Sequence, residues 1–282
     1  MNSEKLKVDL QYIMPKKIIT RLAGFLMSAR LGKVTTYMIK KFAAHYRINV
    51  AEAAKNIDDY RTFNEFFARE LKKGARPLDK GAKSVVFPAD GTVSEFGEIK
   101  YGLLLQAKNH YYTTASLLAD DDDAKTFNGG QFITIYLSPK DYHRVHIPLA
   151  GKLLKMTYVP GEVFSVNPRN AKYIPELFAR NERVVSIFET SVGKMAVIMV
   201  GATIVRSIST SWAGIVTPNS WGELTSTVYN EQEISFAKGA DIGKFMMGST
   251  VICLFEKDAL KFNADLTSGM PTVVKTKMGT TE

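Results

Sequence analysis

Three short segments carry side chains able to move a proton or attack a carbonyl. The first is Ser138-Pro139-Lys140-Asp141-Tyr142-His143-Arg144-Val145-His146-Ile147-Pro148, which holds two of the four histidines; the others are His45 and His110. Imidazole titrates near neutrality, so this pair suits general-base work. Two ring nitrogens at this spacing also suit a metal, yet the chain has one cysteine and no obvious third ligand close by in sequence, which argues against a zinc site. The second segment is Phe87-Pro88-Ala89-Asp90-Gly91. An aspartate before glycine serves turn geometry, or it orients a histidine as the acid of a Ser-His-Asp arrangement does. The third is Gly248-Ser249-Thr250, directly before the apolar run Val251 to Phe255. Glycine reaches backbone angles closed to other residues, and strain at such a point is a device of functional sites. A serine that simply enters a strand after glycine fits the same residues.

Elements to position these groups follow from periodicity. Pro15 begins a helix, with Ile18, Leu22, Phe25 and Leu26 at helical spacing and Lys17, Arg21 and Arg30 off that stripe. Gly32 breaks it, and a second helix carries Val34, Tyr37, Met38 and Phe42. Thr62 and Glu65 form a capping box for a third, whose apolar residues Phe63, Phe66, Phe67 and Leu71 precede the stop signals Gly74 and Pro77. Beyond Pro77, strand-like runs recur: Phe132 to Leu137, Leu153 to Val159, Val184 to Phe188, Met195 to Val205 and Thr250 to Phe255. Turn signals such as Asn128-Gly129 and Pro160-Gly161 separate them. The acidic run Asp120 to Asp123 reads as a solvated loop. The expected fold is α+β: a helical region over 1–75 followed by a mostly antiparallel β domain over 76–282.

Charge is distributed unevenly. The 37 basic and 28 acidic residues leave a formal +9. No acidic residue lies between Asp9 and Glu52, a stretch holding Lys16, Lys17, Arg21, Arg30, Lys33, Lys40, Lys41 and Arg47. Such a concentration implies an anionic partner surface. No nucleic-acid-binding motif accompanies it, whereas a basic amphipathic helix with aromatics suits an anionic bilayer. A helix packed on its own domain with solvated lysines is the plainer alternative. No run approaches the roughly 18 apolar residues of a spanning helix, and Arg21 and Arg30 interrupt any signal-like segment. The lone Cys253, in an apolar run, reads as a buried structural thiol and makes a reducing compartment the default.

In combination the three segments resemble the phosphatidylserine decarboxylases, above all their bacterial membrane-associated branch. Further segments are similar to that family: Tyr60-Arg61-Thr62-Phe63-Asn64-Glu65-Phe66-Phe67, Leu105-Gln106-Ala107-Lys108, Phe164-Ser165-Val166-Asn167, Phe178-Ala179-Arg180-Asn181-Glu182-Arg183, Val200-Gly201-Ala202-Thr203 and Trp212-Ala213-Gly214. The likeness runs from about Leu10 to Phe255. One departure stands at the third segment, where Met247 replaces the family's usual leucine, a nearly volume-conserving change. The tail after Lys257 matches less clearly, and the match around His110 is loose.

The resemblance implies a self-processing lyase. His146, oriented by Asp90, would deprotonate the Ser249 hydroxyl for attack on the carbonyl of Gly248. β-Elimination of the ester and hydrolysis would then turn Ser249 into a covalent pyruvoyl group, the site of Schiff-base formation with substrate. Long and short chains of one precursor would result. The mature enzyme would convert phosphatidylserine to phosphatidylethanolamine and carbon dioxide, with His143 assisting protonation or positioning. No metal and no nucleic acid enter this reading, and the family makes a homodimer a reasonable expectation. The basic N-terminal stretch becomes a docking element for the anionic, cytoplasmic face of the inner membrane, with the protein peripheral. Two rivals predict an uncut chain: a hydrolase keeping Ser249, His146 and Asp90 intact, and a non-catalytic membrane-binding β domain. The first lacks a nucleophile elbow.

Overall fold

The computed structural model describes residues 3–107, 110–203, 207–217, 222–229, 231–246 and 249–281. Four helices come first: α1 (Ser3–Ile13), α2 (Lys16–Ser28), α3 (Lys33–Tyr46) and α4 (Phe63–Phe67). Periodicity did not announce α1. It is held by tertiary contacts: Gln11 bonds Asn170 and Ser165, and Tyr12 packs on Phe164 with ring centroids 5.0 Å apart. Pro15 caps α2 from outside, accepting from the backbone of Ile18 and Ile19. The apolar stripe of α2 faces outward: Ile18, Leu22 and Phe25 are 61%, 67% and 80% exposed.

α3 turns Ile39 and Ala43 into a small aromatic core with Tyr60, Phe63, Phe66 and Phe67, against which Phe42 packs. Thr62 caps α4, accepting from the Glu65 backbone at 3.1 Å, while the Glu65 carboxylate accepts from the backbone of Arg61 at 2.7 Å. The helix is shorter than its spacing suggests. It ends at Phe67, because the chain beyond pairs like a strand with residues 52–54: Ala54 donates to Glu70, Lys72 to Glu52, and Leu71 bridges Ala53. Those bonds satisfy backbone groups that another helical turn would have used.

From Ser84 onward strands dominate, and every ladder between named strands is antiparallel. The main sheet runs, edge to edge, through Thr225–Val228, Gly151–Val159, Arg183–Thr190, Gly193–Val200, Ser249–Phe255, Gln131–Leu137, Gly91–Glu98 and Pro271–Thr272. This is the antiparallel β architecture that the alternating runs and turn signals imply. One run is shorter than its apolar residues suggest, since its strand closes at Val200 and Gly201 then donates to Glu182. A smaller sheet orders Gly214–Ile215, Ile208–Thr210, Asp241–Phe245 and Arg144–His146. The acidic run is a helix start and not a free loop. Asp120 caps Asp121–Thr126 by accepting from Asp122 and Asp123, and Lys155 pairs with Asp120 at 2.8 Å and with Asp123. Carboxylates there satisfy open N–H groups and oppose the helix dipole.

The C-terminal tail closes the molecule. Lys277–Thr280 pairs with Ser84–Val86, and Phe87 exchanges backbone bonds with Lys275 and Thr276. The turn containing Asp90 is thereby clamped between the N-terminal region and residues from the far end of the chain.

Candidate active site

Ser249 opens the strand Ser249–Phe255, whose seven residues are all buried. It lies opposite Leu137, and Thr250 lies between Tyr136 and Val200. No water reaches the Ser249 hydroxyl, and among the described residues Oγ has no hydrogen-bond partner. A buried hydroxyl without a partner is costly, so it marks a place where strain or reaction is built in. Met247 and Gly248 lie outside the described residues.

The two histidines are placed by the smaller sheet. His146 ends the strand Arg144–His146, opposite Asp241. The His143 carbonyl accepts from Phe245, which closes the strand leading toward Ser249. Both rings are buried. His143 Nδ1 is 2.8 Å from the Asp141 carbonyl and His146 Nδ1 is 2.9 Å from that of Gly239. A carbonyl only accepts, so in each neutral ring the proton sits on Nδ1 and Nε2 keeps its lone pair. The Tyr142 hydroxyl lies 3.2 Å from His146 Nε2 and donates to it. Nothing among the described residues donates to His143 Nε2.

Burial decides the protonation of both. It pushes the His143 imidazole from its ordinary 6.5 down to about 3, against the Asp141 carbonyl and with the nearby Arg69 charge adding to the effect. The same cause lowers His146, opposed by its Gly239 bond and by Asp241. Both are neutral bases at pH 7. Burial also raises the Tyr142 phenol, which keeps its proton. Phe67 packs on the His143 ring with centroids 4.0 Å apart, so the aromatic core of the helical region is in direct contact with the site.

Asp90 is buried in its turn, and its neighbourhood is joined to His146 through the backbone, where His146 donates to Pro88 at 2.8 Å. Its carboxylate does not meet the imidazole. Arg76 grips it through Nε (3.1 and 3.0 Å) and Nη2 (2.6 Å), and Val274 donates its backbone N–H at 2.8 Å. Arg76 also pairs with Glu52 at 3.0 Å. The imidazole of His146 is oriented instead by Gly239 and Tyr142. His110 begins a separate hairpin with Leu103–Ala107.

A family model described as phosphatidylserine decarboxylase matches residues 63–281. The chain belongs to that family. A second model, described as PSD, matches residues 6–47. Proteins called phosphatidylserine decarboxylase proenzyme are similar over almost the whole chain. That of Shewanella loihica is 53% identical, covering 98% of this chain and 97% of its own. That of Shewanella pealeana is 52% identical with the same coverage, and that of Shewanella woodyi 53% identical over 93% of each.

Reasoning from sequence missed Arg76, Tyr142 as a partner of His146, Gly239, and the tail residue Val274. Arg76 precedes the Pro77 stop signal and showed no pattern of its own. Tyr142 was in view, inside the histidine segment, but a partner four residues away on a loop has no periodic signature.

Two measurements test this arrangement. In a Ser249→Ala background, Arg76→Met should lower unfolding free energy by on the order of 3 kcal/mol in urea denaturation, because a carboxylate is left buried without its cation. Adding Asp90→Asn should recover much of that loss; a double variant no better than the single one would show that Arg76 acts otherwise. The lowered His143 value gives a pH dependence of definite sign. Between about pH 6.5 and about pH 3 the unfolded state binds a proton that the folded ring refuses, so acidification across that window costs stability. The slope of melting temperature against pH should be shallower there in His143→Gln.

Proposed function

We propose that this chain is a proenzyme that cuts itself between Gly248 and Ser249 and then decarboxylates phosphatidylserine to phosphatidylethanolamine. Family membership and full-length similarity to proteins named as proenzymes support the reaction. The single observation supporting the cut position is the buried Ser249 hydroxyl, which has no hydrogen-bond partner among the described residues, at the first residue of a central strand. A residue ready to be converted should be isolated from water and from competing donors.

His146 is the base in this reading. Its ring is neutral, its Nε2 lone pair accepts from the Tyr142 hydroxyl, and Gly239 fixes the tautomer. It removes the proton from Ser249 Oγ as that oxygen attacks the Gly248 carbonyl, and the amide nitrogen leaves protonated to give an ester. Loss of the Ser249 Cα proton with departure of the Gly248 carboxylate leaves a dehydroalanine. Addition of water and release of ammonia convert it to a pyruvoyl group. Asp90, clamped by Arg76 and Val274, holds the turn in which the Pro88 carbonyl accepts from the His146 backbone.

The pyruvoyl group supplies an electron sink for the pair released when the carboxylate departs as carbon dioxide. The site fits it: the strand position is buried, and among the described residues no hydrogen-bond partner occupies the Ser249 hydroxyl. His143 offers a second buried base, whose Nε2 can carry a proton to the substrate carbon or position the headgroup.

Residues 1–75 serve as the membrane-docking region and 76–282 as the catalytic domain. Ile18, Leu22 and Phe25 on α2 are the exposed apolar side chains that would enter an anionic bilayer. Among the described residues no helix is long and apolar enough to cross a membrane. The protein then reaches its lipid from the surface, as a peripheral protein of the inner membrane's cytoplasmic face.

Intact mass spectrometry of the denatured protein tests the processing. Two chains split at Gly248-Ser249 are expected, the shorter lacking one ammonia relative to a serine-ended peptide, and Ser249→Ala should remain one inactive chain of 31.4 kDa. Carbon dioxide release from phosphatidylserine by Ser249→Ala would overturn the assignment of the prosthetic group. For docking, Leu22→Asp with Phe25→Asp should weaken binding to anionic vesicles at least about tenfold, since burying each such side chain is worth roughly 1.5–3 kcal/mol. Unchanged vesicle binding by the folded double variant would move the docking surface elsewhere.

A further inference from the structure

A cavity of about 470 Å³ extends from Ser28, the last residue of α2, to Met246, three positions before Ser249. Four cations, Lys55, Arg69, Arg144 and Lys244, contribute to its lining, against two carboxylates, Glu65 and Glu70. Both carboxylates are committed. Glu65 accepts from the backbone of Arg61, and Glu70 pairs with Arg144 at 3.1 Å. Arg144 is further tied to Asp241 at 2.7 Å and to the Ala68 carbonyl at 3.0 Å.

Arg69 is different. It is 95% buried (5% exposed), and its Nε and Nη1 atoms have no hydrogen-bond partner among the described residues. The Phe66 ring lies 5.1 Å from the guanidinium carbon, and the charges of Asp90 and Glu52 act on it without a hydrogen bond to Nε or Nη1 among the described residues. A guanidinium stripped of water without an acceptor is expensive, and proteins retain such a charge where a ligand supplies the acceptors. Its fork of N–H groups matches two oxygens of one tetrahedral or planar anion.

We propose that Arg69 binds the phosphodiester of the lipid headgroup, fixing the substrate in this cavity with its serine end directed toward Ser249. This rests on the decarboxylase reading. The headgroup has two anions, and the reaction chooses between them. The carboxylate must lose its charge as the carbon–carbon bond breaks, so pairing it with a buried cation would stabilise the ground state over the transition state. The phosphodiester keeps its charge throughout, and holding it contributes binding without slowing the chemistry. The cavity also joins the two places such a lipid must occupy: the end of the helix whose apolar face is exposed, and the chain segment entering the reactive strand.

The test uses the full-length enzyme in detergent micelles, with Arg69→Gln and Arg69→Lys. Dihexanoyl phosphatidylserine is the substrate. O-hexylserine, which has the same amine and carboxylate but no phosphate, is measured as a competing ligand. Arg69→Gln should raise KM for the phospholipid about 10- to 100-fold, the loss expected for a charge-assisted hydrogen-bonded pair. It should leave inhibition by O-hexylserine unchanged and self-cleavage complete, and Arg69→Lys should recover part of the affinity. An unchanged KM, or equal weakening toward both ligands, would overturn the proposal. Inorganic phosphate that inhibits wild type but not Arg69→Gln, with the variant's KM for the phospholipid unchanged, would assign Arg69 to free anions, which also overturns it. If Arg69→Gln does not fold, as seen from an uncut chain and a lost melting transition, wild type decides: sn-glycerol 3-phosphate must compete with the phospholipid where neutral glycerol does not. A wild-type chain that stays uncut or releases no carbon dioxide would instead defeat the decarboxylase reading itself.

Discussion

Everything at the site depends on one strand being locked on both sides. Ser249–Phe255 is fully buried and pairs with Gln131–Leu137 along one edge and Gly193–Val200 along the other. Ladder bonds on both edges fix its register, and a slip of one residue would turn every side chain to the opposite face. Ser249 is therefore held at one depth, where its hydroxyl has no partner among the described residues. The same pairing makes a chain break before Ser249 tolerable. The segment after the break would keep this strand, the Pro271–Thr272 pairing to Gly91–Glu98 and the Lys277–Thr280 pairing to Ser84–Val86. Cutting would remove one covalent link and few contacts, which suits a proenzyme that must remain folded through its own processing.

The helical region is more than an appendage to this sheet. Phe67 packs on His143, Arg76 grips Asp90 while also pairing with Glu52, and Arg144 reaches back to Ala68 and Glu70. Each contact couples a charge or ring near the reacting residues to the elements proposed to meet the bilayer. The proposed docking region and the histidine segment are thus joined by short interactions, and a change in the pose of α3 or α4 would be felt at the His143 ring. The tail adds a second link from the other end of the chain, through the Val274 amide on Asp90.

How much of this was legible in the sequence follows from the range of each interaction. The strands were readable because alternation and turn residues are local, and the apolar face of α2 because its period is local too. α1 was not, since its place depends on Gln11 meeting Asn170, 159 residues away. α4 ended early because a strand-like partner at residues 52–54 competed for its backbone, and the Asp120 run became a cap because its carboxylates met open N–H groups. Motif matching drew Asp90, His143, His146 and Ser249 together as a set, and in the fold all four are buried. It could not have given their partners. Arg76, Tyr142 and the Gly239 carbonyl have no pattern in sequence, and each is defined only by where the chain folds back.

The arrangement of partners has a chemical consequence. Both histidines spend their Nδ1 proton on a backbone carbonyl, and burial keeps both rings neutral, so each presents a lone pair on Nε2. They differ in what covers that lone pair. Tyr142 donates to it on His146; among the described residues no group donates to it on His143, although that atom too is buried. A base needed once, for processing, can tolerate a hydroxyl that must move aside, because the step need only occur a single time in the life of the molecule. A base needed in every turnover gains from standing bare, since no bond has to be broken before it takes a proton and none competes as it gives one back. If His146 serves processing and His143 turnover, as proposed, the hydrogen bond from Tyr142 to one Nε2 and not the other would distinguish the two rings.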